Sequence, residues 1–256
     1  MPSEKANSRR SFIRTVTGAG ALLYSGVLPA ASIQAPQERA NDTGPVILFQ
    51  GDSITDGNRS RNNDWNHLLG HGYAYLVASK LGFEHPDKNF HFYNRGISGN
   101  KVTDLAARWQ TDTIDIKPDV LSILIGVNDV NSMFTGKDMV TAERFGEVYR
   151  SLLNQTKEKL PGVHLVLCEP FILRVGRVQD KWEEWFSEIQ KRQEIVQKLS
   201  VEYHTVYVPL QEAFNKAVDR APAGYWIWDG VHPMPAGHEL IAREWISITK
   251  KHIHIF

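Results

Sequence analysis

The chain has 256 residues, of which 42% are hydrophobic, and its 29 lysines and arginines equal its 29 aspartates and glutamates. This length and composition are typical of a globular protein with one moderately large domain or two small ones. A balanced charge argues against a nucleic-acid partner, because binding to a phosphate backbone needs a basic surface. The single cysteine, Cys168, excludes an intramolecular disulfide.

The N-terminal residues 1–32 have the order of features of an export signal. Arg9 and Arg10 precede Phe12 and an apolar stretch, 15–31, which contains glycines and ends in small residues. This order resembles a twin-arginine signal, and a basic N-terminal helix is the alternative. The stretch is interrupted by glycine and proline and is short for a membrane span, which needs about 20 predominantly apolar residues. We therefore predict a cleavable or retained export signal rather than a membrane anchor.

A short linker, 33–41, and one domain, 42–256, are predicted to follow the signal. Loss of the signal would remove four basic residues and one acidic residue, which leaves the mature chain slightly acidic. The twin-arginine export machinery is therefore one expected partner, and the expected location is the periplasm or the exterior of the cell. No stable membrane span is expected in the mature protein, and a homo-oligomer is one open alternative for its assembly.

From residue 46 onward, short apolar segments alternate with longer amphipathic ones. The predicted strands are rich in β-branched and aromatic residues and read VILFQ, FHFYN, VLSILIG, VHLVLCE and TVYVPL. Helical periodicity predicts helices over 73–81, 102–114, 141–160, 182–203 and 236–250. Such alternation indicates a mostly parallel sheet with right-handed crossovers and helices on both faces. Ligands of such sheets bind at the carboxyl ends of the strands.

Four polar clusters lie at the predicted carboxyl edge of this sheet. The clusters GDSITDG, NRGISGN and GVNDV follow the first three strands, and WDGVHPMPAGH precedes the last helix. Nucleophilic acyl transfer needs a hydroxyl, a base, a carboxylate that orients the base, and donors for the oxyanion. The clusters offer these groups in Ser53, His232, Asp229, Gly99 and Asn128. Taken singly, each has another reading, since serine commonly caps helices and glycine and asparagine commonly form turns.

In this order the four clusters resemble those of the SGNH or GDSL hydrolase superfamily, over nearly the whole predicted domain. The resemblance implies a flavodoxin-like three-layer α/β/α sandwich around a mostly parallel sheet of five strands, and a serine esterase without a metal or other cofactor. It implies that Ser53 is the nucleophile, that His232 is the general base and that Asp229 orients it. It also implies that the oxyanion binds the N–H groups of Ser53 and Gly99 and the side chain of Asn128.

A narrower resemblance links the same blocks to SGNH acetylxylan esterases, which implies an acetylated carbohydrate substrate. Asp52 and Trp228 flank the triad residues in the sequence and are predicted to contact this substrate. The stretch 58–69, which is longer and more polar than the resemblance leads us to expect, is predicted to influence specificity. A lysophospholipase or other lipid-directed acylhydrolase with the same triad is the alternative, disfavoured by the polar residues near the site.

Three other classes of protein fit the sequence less well. An α/β-hydrolase elbow reads Gly-x-Ser-x-Gly, and the second glycine is replaced by Thr55 here. A flavin-binding phosphate loop is disfavoured because Asp52 and Asp56 would repel a phosphate. His67 and His71 have the i, i+4 spacing of metal ligands, but no glutamate follows the pattern of a zinc protease.

Overall fold

A parallel sheet of five strands forms the centre of the computed structural model, which describes residues 44–62, 64 and 66–256. These residues belong to one compact unit, Asn41–Phe256. The predicted export signal, the linker and the predicted boundary at residue 42 lie outside the described residues. Among the helices of the described chain, none combines the length and the apolarity needed to cross a bilayer.

All five predicted strands are present and all pair in parallel. They are β1 (Val46–Gly51), β2 (His91–Asn94), β3 (Val120–Leu124), β4 (His164–Cys168) and β5 (Val206–Val208). Their order across the sheet is β2-β1-β3-β4-β5, which is the flavodoxin-like order. The chain moves from β1 outward to β2 and then back across β1 to β3. The strand order therefore reverses beside β1, and the carboxyl ends of β1 and β3 flank the crevice expected for a ligand.

Helices join the strands and cover both faces of the sheet. In chain order they are α1 (Ser53–Asp56), α2 (Tyr73–Glu84), α3 (Val102–Trp109), α4 (Val127–Thr135), α5 (Ala142–Lys159), α6 (Trp182–Glu202), α7 (Leu210–Val218), α8 (Ala223–Trp226) and α9 (Pro235–His252). α3 continues into one turn of π-helix, Gln110–Ile114. The five helices predicted from periodicity correspond to α2, α3 with its π-helical turn, α5, α6 and α9.

Each face of the sheet carries its own apolar core. Ile47 and Phe49 of β1 pack in the core that contains α2 and α9, whereas Leu48 packs in the core that contains α3 and α5. Successive side chains of a strand point to opposite faces, so a strand covered on both faces is apolar at nearly every position. Because full burial of such a side chain contributes about 1.5–3 kcal/mol, these cores fix the strands and the site at their carboxyl ends. The predicted three-layer α/β/α sandwich is confirmed.

Candidate active site

Ser53 lies where β1 leaves the sheet and α1 begins. Asp52 is the N-cap residue of α1, and its Oδ1 accepts a hydrogen bond from the Ile54 N–H at 3.0 Å. A Cβ on Gly51 would lie 2.3 Å from the Leu124 carbonyl oxygen, so only glycine fits at this exit from the sheet. Since Asp52 supplies the helix cap, the hydroxyl of Ser53 is not needed for that role.

Asp229 and His232 share a tight loop between α8 and α9. The Asp229 Oδ1 accepts from the main-chain N–H of Val231 at 3.0 Å and from that of His232 at 2.7 Å. The Trp228 N–H donates to the His232 carbonyl at 3.2 Å and closes the loop. A carboxylate that bonds to amides two and three residues further on is a typical turn device of aspartate. The three-residue spacing therefore folds the carboxylate back against the histidine ring.

A continuous line of hydrogen bonds joins Ser53, His232 and Asp229. The Ser53 Oγ lies 2.8 Å from His232 Nε2, and His232 Nδ1 lies 2.8 Å from Asp229 Oδ2. With Asp229 ionised, its Oδ2 can only accept, so Nδ1 carries the proton and Nε2 is free to accept from the serine. This arrangement can transfer the hydroxyl proton to the ring while Oγ attacks an electrophile.

The surroundings of Asp229 keep its carboxyl ionised. Burial acts to raise the pKa, but hydrogen bonds from the His232 ring and from the main-chain N–H groups of His232 and Val231 outweigh it and lower the pKa from 3.8 to about 2. The carboxylate is therefore charged at any pH near neutrality, as stabilisation of an imidazolium ring requires.

Gly99 and Asn128 lie together at the carboxyl ends of β2 and β3. The φ of Gly99 is +85°, a left-handed conformation that glycine adopts without strain. Among the described residues, no atom beyond its chain neighbours lies within 4 Å of the position that a Cβ would take there. The Asn128 Nδ2 donates to the Asn100 carbonyl at 3.1 Å, and the Ile97 N–H donates to the Gly51 carbonyl at 3.1 Å. The structure thus ties the loop of Gly99 both to Asn128 and to the end of β1.

The two residues predicted to contact substrate occupy different environments. The Trp228 side chain is 60% exposed, and its ring stacks on that of His232 with 6.2 Å between centroids. Asp52 is only 1% exposed, and burial raises its pKa to about 7 against the opposing effects of the Ile54 N–H and His232. A carboxyl that is buried and caps α1 has no open path to a ligand in this conformation. Contact of either residue with a substrate stays a prediction, for which Trp228 is exposed and Asp52 is buried.

A segment after β4 supports the triad loop, and it was not predicted from the sequence. The Arg177 Nε lies 3.3 Å from Asp229 Oδ2, and its main-chain N–H donates to the Asp229 carbonyl at 3.1 Å. Gly230 has a φ of +92°, and a Cβ there would lie 2.5 Å from the Val175 carbonyl oxygen. These contacts are made mainly by the backbone, which leaves no side-chain motif for a sequence pattern to reveal.

Asp56 connects the stretch 58–69 to the loop of Gly99. This residue is 3% exposed, and its Oδ2 accepts from the Ser98 N–H at 3.0 Å, from the Ser98 hydroxyl at 2.9 Å and from Arg61 Nη2 at 2.7 Å. Burial raises its pKa, but the hydrogen bonds from Arg61 and Ser98 outweigh that effect and lower it. The ionised Asp56 thus links the predicted specificity stretch to the residue that precedes Gly99.

Metal ligands do not gather in the part of the chain that the structure describes, where no group of three or more His, Cys, Asp or Glu side chains is placed to hold an ion. His67 instead bonds through Nδ1 to Asp64 Oδ2 at 2.5 Å. Cys168 is buried beside Ser122, and burial raises the pKa of its thiol to about 12. A thiol with so high a pKa is a core residue rather than a nucleophile.

A flavodoxin-like sheet with a hydrogen-bonded Ser-His-Asp line at its carboxyl edge has the architecture of an ester hydrolase of the serine type. The sequence comparison is consistent with that class, because residues 49–240 match the GDSL-like Lipase/Acylhydrolase family. The chain belongs to this family and is a carboxylic ester hydrolase.

Three of the matches each cover 80% of the chain. An acetylxylan esterase from Geobacillus stearothermophilus is 35% identical over 210 residues, which are 80% of this chain and 93% of that protein. The crystal structure of a GDSL-like lipase from Parabacteroides merdae is 44% identical, with a TM-score of 0.77, and the match covers 80% of this chain and 95% of that one. A variant of Axe2, the acetyl xylan esterase from G. stearothermophilus, has 34% identity, a TM-score of 0.72, and 80% and 94% coverage.

Further structures of Axe2 carry changes at three neighbouring positions. Two are catalytic mutants, in which an aspartate and a histidine three positions later are replaced by alanine. Another replaces the tryptophan directly before that aspartate by isoleucine. Axe2 therefore has the same spacing of tryptophan, aspartate and histidine as Trp228, Asp229 and His232 in this chain.

Proposed function

We propose that the protein is a serine esterase that removes O-acetyl groups from acetylated carbohydrate, with acetylated xylan or xylo-oligosaccharides as the substrate. The observation that carries this proposal is the continuous hydrogen-bond line from the Ser53 Oγ through the His232 ring to Asp229. The similarity to acetylxylan esterases supports the acetyl group and the sugar. The catalytic mutants of Axe2, with the same aspartate-to-histidine spacing, support the roles of Asp229 and His232.

Acylation begins when His232 Nε2 accepts the proton of the Ser53 hydroxyl while Oγ attacks the ester carbonyl carbon. The ring becomes positively charged, and the ionised Asp229 at Nδ1 stabilises that charge. The carbonyl oxygen becomes an oxyanion that accepts hydrogen bonds from the N–H groups of Ser53 and Gly99 and from the amide of Asn128. His232 then donates its proton to the leaving sugar oxygen, the C–O bond breaks, and the acetyl group remains on Ser53.

Deacylation repeats these steps with water. His232 Nε2 accepts a proton from a water molecule, whose oxygen attacks the acetyl carbonyl carbon. The second oxyanion binds the same donors, and the proton then passes from His232 to the Ser53 Oγ as acetic acid leaves. One ester and one water thus yield one sugar hydroxyl and one acetic acid, and the enzyme returns to its starting state.

Trp228 is the feature of the site that favours a sugar over a lipid chain. Trp228 is 60% exposed, and its ring stacks on that of His232 beside the nucleophile. A large flat aromatic face with an exposed surface suits the apolar face of a pyranose ring. A lipid-directed acylhydrolase would use the same triad, so the substrate must be distinguished by direct comparison.

The proposed substrate class is tested with acetylated xylan, acetylated pectin and a lysophospholipid, assayed side by side for released acetate or fatty acid. We expect acetate from acetylated xylan at the highest kcat/KM, and no fatty acid above the background set by the Ser53→Ala variant. Faster hydrolysis of the lysophospholipid would overturn the carbohydrate assignment in favour of a lipid-directed acylhydrolase. Equal rates for wild type and Ser53→Ala on every substrate would overturn the mechanism itself.

We further propose that the protein is exported to the periplasm or the exterior through the twin-arginine machinery. The proposal rests on the order of Arg9, Arg10, Phe12 and the apolar stretch in the sequence. Replacement of both arginines by lysine should retain the full chain in the cytoplasm, as measured by fractionation and immunoblotting of the native host. Undiminished export of that double variant would exclude this route, and Lys5→Arg is a control that keeps the overall charge.

A further inference from the structure

Arg108 of α3 connects several loops at the carboxyl edge of the sheet. Its side chain is 15% exposed. The side chain donates five hydrogen bonds. Its Nε donates to Asn100 Oδ1 at 2.9 Å, and its Nη2 donates to the Gly51 carbonyl at 3.4 Å. Its Nη1 donates to Gln50 Oε1 at 3.0 Å, to the Arg95 carbonyl at 2.8 Å and to Asp112 Oδ2 at 2.9 Å. One guanidinium group thus contacts the end of β1, the loop after β2 and the π-helical turn.

These acceptors lie beside all three donors of the proposed oxyanion hole. Gly51 is two residues before Ser53, and Asn100 directly follows Gly99. The carbonyl of Asn100 accepts the hydrogen bond from Asn128 Nδ2 at 3.1 Å. Arg108 therefore contacts Gly51, near Ser53, and Asn100, next to Gly99. It is linked to Asn128 through Asn100, whose main-chain carbonyl accepts from Asn128.

The acceptors of Arg108 are themselves held in place. Gln50 is fully buried, and its Nε2 donates to the Asp112 carbonyl at 2.7 Å and to Thr113 Oγ1 at 2.9 Å in the π-helical turn. π-helical turns occur frequently at functional sites. This one directs the carbonyl and the carboxylate of Asp112 toward Gln50 and Arg108, so the acceptors and the donor fix each other's orientation.

We propose that Arg108 is a positioning residue for the oxyanion hole, which holds the loops of Ser53, Gly99 and Asn128 in register through its hydrogen bonds to Gly51 and Asn100. The inference rests on the proposed function, because it concerns the donors of the same reaction. An oxyanion hole is effective when its donors are placed before charge develops, and a site of this kind tolerates displacements of only about 0.5 Å. In this role Arg108 acts through these loops rather than on the substrate itself.

Lysine cannot replace arginine at this position. A guanidinium presents five N–H donors in one plane, whereas an ammonium presents three donors on a single atom. Arg108→Lys keeps the positive charge but cannot reach Asn100, Arg95 and Gly51 together. We expect it to lower kcat for acetate release by about tenfold or more, a part of the 10²–10³ that one oxyanion donor is worth, with KM changed by less than about twofold.

A double-mutant cycle with Asn128→Ala separates positioning from general stabilisation of the fold. Asn128→Ala alone should lower kcat by about 10²–10³. If Arg108 acts by placing the oxyanion donors, then Arg108→Lys should lower kcat by a clearly smaller factor in the Asn128→Ala background than in wild type, because Asn128 is already absent there and only the N–H groups of Ser53 and Gly99 remain to be displaced. Independent losses that multiply in the double variant, or a wild-type kcat for Arg108→Lys, would overturn the positioning role.

Two further variants make the test decisive. Arg150→Lys is the control, because Arg150 pairs with Glu202 at 2.6 Å between α5 and α6; it should leave kcat unchanged. If Arg108→Lys does not fold, then Asn100→Ala takes its place in the cycle, since it removes the acceptor of Arg108 Nε and keeps the carbonyl that Asn128 uses. Additive losses there would overturn the inference equally.

The proposed function is tested separately by Ser53→Ala in the same assay. Full activity of Ser53→Ala would remove the proposed function and this inference together. Loss of activity in Ser53→Ala with an additive cycle would remove only the role of Arg108.

Discussion

Ser53→Ala should lower kcat for release of acetate from acetylated xylo-oligosaccharide by about 10⁶-fold, the loss seen when a triad serine is removed. The Oγ forms the bond to the substrate, and its one hydrogen bond given by the structure is to His232 Nε2 at 2.8 Å. The residual rate comes from binding and from the oxyanion donors, which this change leaves in place.

The same variant should fold normally. α1 is capped by Asp52 rather than by Ser53, so the substitution removes one partly buried hydrogen bond, worth about 0.5–1.5 kcal/mol. Thermal unfolding followed by circular dichroism should place Tm within a few degrees of the wild type, as about 1 kcal/mol implies for a chain of this length. Ser151→Ala, at an exposed position of α5, serves as a control and should keep full activity. A Ser53→Ala enzyme with more than about one hundredth of the wild-type kcat would contradict the nucleophile assignment.

The sequence predicted the strands and the sheet because burial on both faces leaves a strong local signal. β1 and β3 are apolar except for Gln50, Gly51 and Ser122, and they end in Gly51 and Leu124, directly before polar clusters. The helix α4 was not predicted, since Asn128, Asp129 and Asn131 favour turns locally and only two side chains in its first turn pack in the core. Its helical conformation depends on packing against α6, which no short window of sequence shows.

The residues of the candidate site likewise fall into those that the sequence predicts and those that it does not. Ser53, Asp229 and His232 could be predicted because aspartate and histidine three residues apart form a recognisable local unit, and the order of the clusters supplies the rest. The role of Arg108 could not be predicted, because two of its acceptors are main-chain carbonyls. Every residue has such a carbonyl, so no sequence pattern indicates these contacts. Asp52 shows another limit of sequence-based prediction. The sequence shows that Asp52 adjoins the nucleophile, but it does not show that the side chain points into the cap of α1.

Asp229→Asn should lower kcat by about 10⁴-fold without loss of the fold. An amide that presents its NH₂ toward His232 Nδ1 would donate where the carboxylate accepts. The ring would then carry its proton on Nε2 and could no longer accept the proton of Ser53. If the amide presents its oxygen instead, the tautomer is kept but the negative charge that stabilises the imidazolium is lost. Asp219→Asn, at the end of α7, is the matched control and should leave kcat unchanged.

The stability of this variant gives an independent measurement of the same contacts. The pKa of Asp229 is lowered from 3.8 to about 2, with burial opposed by the His232 ring and by the amides of His232 and Val231. A carboxyl whose pKa falls on folding stabilises the protein fully above its unfolded pKa and loses that contribution as the pH drops through the folded value. The Tm of wild type should therefore exceed that of Asp229→Asn most above pH 4, and the difference should shrink toward pH 2. A difference that stays constant over this range would mean that the carboxylate is not held by these donors, and the tautomer argument for His232 would lose its basis.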